Sequence, residues 1–127
     1  MKKITILLVI IFSFLFSSTC WGEWTKVVSS GNGDDFYVDR EKIKKRGNYV
    51  YLWMLIDMIE PNEGGTMSQI RYVKLDCVNK QLIWLKIRTF NVPMAEGVLS
   101  NESHKKLWEP IGPKTVYEFI REKSCQL

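Results

Sequence analysis

One histidine and three cysteines in 127 residues leave few groups for catalysis or metal binding. The histidine, His104, lies in the polar run Asn101-Glu102-Ser103-His104-Lys105-Lys106, which reads as a solvated loop rather than a base or ligand. Cys20, Cys77 and Cys125 show no CxxC or other metal-ligand spacing. Gly31-Asn32-Gly33 has no helix behind it and so does not read as a phosphate-cradling loop. Asp34-Asp35 reads as a turn before a strand rather than half of an ion site. Internal repeats are absent, and so is low complexity beyond the N-terminal apolar run. The expectation is a non-catalytic protein with no cofactor and no metal.

Charge of one sign is also scarce. The chain has 18 basic and 14 acidic residues, net +4. Setting aside Lys2 and Lys3, which belong to the leader, lowers that balance by two, to +2. Such a balance argues against a nucleic-acid partner.

What is present begins with an export leader. Lys2 and Lys3 form a basic start, Ile4 to Phe16 carry no charge, and Ser17-Ser18-Thr19-Cys20-Trp21-Gly22 are mostly small. Basic start, apolar centre and small-residue exit are the three parts of a secretory signal peptide, here 1–22 with cleavage after Gly22. Two rival readings share the segment. One is an uncleaved anchor, although its second half is Ser- and Thr-rich. The other is a lipidated Cys20, although Ser17 and Thr19 stand where lipoprotein processing prefers other residues. The expected location is exported: periplasm, outer-membrane surface or secreted. Membrane contact is expected only through the leader or a lipidated Cys20.

Removal of the leader leaves 23–127, about 105 residues, enough for one core and too few for two. Of the whole chain, 46% is hydrophobic and 13% aromatic, well outside the disordered range. It also leaves Cys77 and Cys125 as an even pair in an oxidising compartment, where a disulfide persists.

Alternation predicts strands over Glu23 to Val28, Phe36 to Val38, Tyr49 to about Ile59, Met67 to Val78 and Gln81 to Asn91, with a sixth near Gly97 to Leu99. Asp39 is placed to cap a single turn from Arg40 to Lys45, and Gly47-Asn48 turns into the Tyr49 strand. Val50, Leu52, Met54, Ile56 and Met58 share one face of that strand; Tyr49, Tyr51, Trp53, Leu55 and Asp57 share the other. On the next, Val73, Leu75 and Cys77 oppose Ile70, Tyr72, Lys74 and Asp76. On the last long strand, strict alternation sets Ile83, Leu85 and Ile87 against Leu82, Trp84, Lys86, Arg88 and Phe90. A C-terminal helix is introduced by Pro113, with Val116, Phe119 and Ile120 as its apolar stripe and Cys125 at its end.

These pieces define an α+β fold: an antiparallel meander of about five or six strands with one helix packed on one face. A Cys77–Cys125 bond would pin the helix there, because Cys77 shares a face with Val73 and Leu75. The opposite face then carries Tyr51, Trp53, Tyr72, Lys74, Trp84, Lys86 and Arg88, a mixture suited to contact with protein or glycan. The cluster Lys42, Lys44, Lys45 and Arg46 reads as a solvated turn.

The ordered motifs resemble the bacterial surface-adhesin protein E family. They are Glu23-Trp24, Gly33-Asp34-Asp35-Phe36-Tyr37-Val38-Asp39, Ile43-Lys44-Lys45-Arg46-Gly47-Asn48 and Leu52-Trp53 with Asp57 and Pro61. Leu75-Asp76-Cys77, Trp108-Glu109-Pro110-Ile111-Gly112-Pro113 and Cys125 complete the set. The resemblance implies an antiparallel sheet, a C-terminal helix and a disulfide at Cys77 and Cys125. It also implies a surface protein that can dimerise and that binds host matrix or plasma proteins such as vitronectin and laminin. The chain departs from the family pattern at Asn91 to Gly97, which keeps only Met94 and Gly97, and in the acidic loop Glu60 to Gly65. The expected partner is therefore a protein: a host matrix or plasma protein, a second copy, or another envelope component. The alternative to an adhesin is an envelope-associated structural or periplasmic protein.

Overall fold

Turn-forming residues divide the chain into strands close to where alternation places them. The computed structural model describes residues 24–127, so the leader reading of 1–22, including Cys20, lies outside the described residues. The strands are β1 (Trp24–Ser29), β2 (Asp35–Asp39), β3 (Lys44–Arg46), β4 (Tyr49–Asp57), β5 (Ser68–Asp76), β6 (Gln81–Phe90), β7 (Leu99–Ser103) and β8 (Glu109–Pro110). Single 3-10 turns occupy Arg40–Lys42 and Pro93–Ala95, and an α-helix, α1, spans Val116–Cys125. The antiparallel sheet runs β1-β2-β4-β5-β6-β7, with β3 paired to β4 and β8 to β6. The meander of six main strands plus a C-terminal helix is the expected architecture.

Hairpin chemistry explains the order. Gly47, at φ 60°, supplies the left-handed position that lets Arg46 and Tyr49 pair across a two-residue turn. The β5–β6 turn is held by Asp76, whose Oδ1 accepts the Val78 and Asn79 amides at 3.0 Å each while Oδ2 accepts the Asn79 side-chain amide at 2.9 Å. Burial alone would push the Asp76 carboxyl up; these donors, with Gln81, outweigh it and hold it below the usual carboxylate range. Glu118 is also held low, chiefly by its hydrogen bond with Arg121. Both groups bind protons more weakly folded than unfolded. Their stabilisation is therefore full above the unfolded carboxylate range, near pH 4, and is lost as pH falls through the lower folded values. The urea midpoint should accordingly drop on acidification below about pH 4, and Asp76→Asn should flatten part of that slope.

One sheet face carries the core. Val50, Leu52, Met54 and Ile56 of β4, Val73 and Leu75 of β5, and Phe36 and Val38 of β2 are buried there. Fully burying side chains of this kind is worth about 1.5–3 kcal/mol each. The helix completes the layer, with Ile120 fully in the cluster and Val116 and Tyr117 packed against it. Tyr117 meets Phe36 edge-on at 6.0 Å and Trp84 at 5.3 Å.

Three details correct the sequence reading. The helix starts at Val116, capped by the Thr115 hydroxyl, which accepts the Glu118 amide at 3.2 Å; Pro113 lies outside it. Its inner stripe uses Tyr117 in place of Phe119, which remains 37% exposed. The expected cap at Asp39 forms no side-chain hydrogen bond, and the turn ends at Lys42 because Lys44–Arg46 pair with β4 as a strand.

A disulfide joins Cys77 to Cys125 with Cα atoms 5.9 Å apart. Beside it, Arg121 donates to both Glu118 carboxylate oxygens, at 2.5 and 3.1 Å, and to the Cys77 carbonyl at 3.3 Å. The helix is thus fixed to the end of β5 by the disulfide and by the Arg121 hydrogen bond to the Cys77 carbonyl, with Glu118 holding Arg121 from within the helix.

Candidate functional site: the open sheet face

The face away from the helix is built by strand register. Tyr51 pairs with Lys74, Trp53 with Tyr72, Tyr72 with Lys86, and Ile70 with Arg88, so their side chains form adjacent rows. Trp53 and Tyr72 stack at 4.5 Å, and Tyr51 and Tyr72 lie 6.3 Å apart, tilted by 33°. Tyr51, Trp53, Tyr72 and Lys74 are half-buried and Lys86 is exposed.

The cations are held by rings. Lys74 Nζ lies 4.3 Å from the Tyr49 ring centroid, 5.5 Å from Tyr51 and 5.6 Å from Trp108. The Arg88 guanidinium lies 5.5 Å from Trp53 and its Nε donates to Glu102 at 3.4 Å. The negative faces of the rings attract these charges, which costs less desolvation than a buried carboxylate pair would.

Six of the seven residues expected on this face are there. Trp84 is not. It lies in the core, 3% exposed, against Tyr117 and with the Arg71 guanidinium 4.5 Å from its ring. The cause is a bulge: Tyr72 pairs with Lys86 and Val73 with Trp84, leaving Leu85 as an extra residue. Strict alternation fails across that residue, so Trp84 and Leu82 point inward while Lys86 and Arg88 point outward.

Two contributors lie outside the expected binding set. Parity with Tyr51 and Trp53 places Tyr49 on this face, and the structure adds it to the site through Lys74 and Trp108. Trp108 sits in the segment before β8 and reaches the face because β8 pairs with β6 across Leu82–Glu109. No local pattern reports that pairing.

At the other end the face is closed. Leu55 and Phe90 are buried there beside the 93–95 turn. Asp57 accepts the Met94 amide at 2.8 Å, and the Ser68 hydroxyl donates to the Val92 carbonyl at 2.6 Å and accepts the Ala95 amide at 2.8 Å. The aromatic area is therefore bounded. Among the described residues no cluster of three or more His, Cys, Asp or Glu could hold a metal ion, and no helix is long and apolar enough to cross a membrane. His104 is exposed in its loop.

One helix-covered face, one aromatic face and a covalently fastened helix define a small sheet-and-helix domain of the disulfide-stapled kind. The chain belongs to the surface-adhesin protein E family, whose sequence pattern matches residues 24–126. Its fold is similar to that of Haemophilus influenzae protein E in two crystal settings. Crystal form II gives a TM-score of 0.62 at 17% identity, covering 86% of this chain and 91% of that one. Protein E from non-typeable Haemophilus influenzae gives 0.57 at 16% identity, covering 86% and 79%. No curated protein sequence matches this chain.

Proposed function

We propose that this chain is an exported surface adhesin that captures a protein partner through the open sheet face, with host matrix or plasma proteins as the partner class. The observation that carries the reading is a bounded pair of ring groups, Trp108–Tyr49 and Tyr51–Tyr72–Trp53, bridged by Lys74 and with Arg88 beside Trp53. Aromatic and arginine side chains dominate interface energetics, and rings already stacked lose little freedom on binding. Family membership supports export and a surface location. The bounded face and the exposed His104 support binding rather than catalysis.

The test is a panel of immobilised matrix and plasma proteins, vitronectin and laminin among them, against the exported protein. The variant Trp53→Ala/Lys74→Ala/Arg88→Ala should bind about tenfold or more weakly while its fold persists. Unchanged binding by a folded triple variant would remove the face from the proposal. A triple variant that loses a dimer instead would assign the face to self-association.

A further inference from the structure

The helix leaves one part of its own side of the sheet uncovered. Between its C-terminal half and the β1–β2 edge lies an open cleft of about 600 Å³, a volume within the range of small-molecule sites. Its floor is apolar: Val27, Val38, Ile43 and Ile120, all packed on or within the core cluster. Phe119 forms a wall, which accounts for the apolar ring left exposed on the helix.

The charged side chains of the rim have one sign, while Leu127 adds a main-chain oxygen there that Lys45 holds. Lys26, Arg40 and Lys123 line the cleft, and no Asp or Glu does. Lys26 shares its ammonium with Asp35 at 3.1 Å; Arg40 and Lys123 stand exposed. The walls are fixed in advance. Cys125 is held by the disulfide, and Lys45 donates to the main-chain oxygens of Cys125 at 3.0 Å and Leu127 at 3.4 Å. A prearranged cleft avoids the ordering cost that a flexible one would impose on a ligand.

We propose that this cleft binds a long-chain amphipathic anion of the fatty-acid type, with the chain on the apolar floor and the carboxylate at the cationic rim. The floor gives an inorganic anion nothing to gain, and the rim disfavours a cationic amphiphile. Two copies meeting through this cleft would bring like charges together, so a second copy does not suit it. The cleft is separate from the aromatic face and does not depend on that face's partner.

The test is a residue-resolved NMR titration of the oxidised protein with laurate, below its micelle-forming concentration. Saturable one-to-one shifts are expected at Val27, Val38, Phe119 and Ile120. Affinity should rise from octanoate through decanoate to laurate, by up to about fourfold per methylene. Dodecyltrimethylammonium should bind about tenfold or more weakly, and Arg40→Glu/Lys123→Glu, which alters two exposed side chains, should weaken laurate by a similar factor. Shifts confined to Tyr51, Trp53 and Tyr72, affinity independent of chain length, or equal affinity for the cationic amphiphile would overturn the proposal. The unaltered protein supplies each of those readouts, so a variant that failed to fold would not protect the idea.

Discussion

Replacing Cys77 and Cys125 together by alanine will lower the stability of the folded domain by about 4 kcal/mol. The bridge spans 48 residues of sequence, and the chain-entropy account of a closure of that length gives this magnitude. In a domain of this size the melting temperature should fall by about 15–30 °C. Small domains hold only about 5–15 kcal/mol in total, so the loss takes a large share. The contacts left behind limit the damage: Arg121 still reaches the Cys77 carbonyl and Glu118, and Tyr117 and Ile120 still bury against the sheet. The double variant should therefore fold at low temperature. Denaturant unfolding of it beside the oxidised parent is the measurement, and a difference under about 1 kcal/mol would show that the hydrogen-bond and apolar contacts alone fasten the helix.

The second large effect separates two tryptophans. Trp84→Ala should cost about 3–5 kcal/mol, because it empties a volume at the centre of the core. It also uncovers the Arg71 guanidinium, which burial already pulls below its usual pKa and whose Nε and Nη2 both donate to Gln69 Oε1. Trp53→Ala removes a half-exposed ring whose stack on Tyr72 is worth about 0.5–1.5 kcal/mol, and should leave the fold intact. Equilibrium unfolding of the two variants in parallel decides the matter. Equal losses would contradict the placement of Trp84 in the core and Trp53 on the open face.

That contrast also marks where the sequence stopped being legible. Faces of β4 and β5 follow from period two because both strands are regular, so Tyr51, Trp53, Tyr72 and Lys74 could be placed by counting. Cys77 could be placed the same way, although β5 ends at Asp76, because the Cys77 amide still bonds the Asn48 carbonyl at 2.9 Å. On β6 the count breaks at Leu85, and β-bulges have no reliable side-chain signature. Bulges depend on how two strands settle against each other, which is a tertiary fact. The helix boundary was more accessible. Thr115-Val116-Tyr117-Glu118 has the spacing of a capping box, a stronger start signal than Pro113. Trp108 could not be placed, because a two-residue strand brings it home.

The Leu85 bulge has a consequence for how this strand can change. Any substitution at that position alters one side chain. Deleting it would remove the bulge and leave a regular ladder, with Trp84 still opposite Val73 and facing inward and Lys86 still opposite Tyr72 and facing outward. A gap at Leu85 therefore keeps the remaining side chains on their faces, whereas a gap at Ile87 would turn Arg88 toward the core, and natural variants should tolerate the first better than the second.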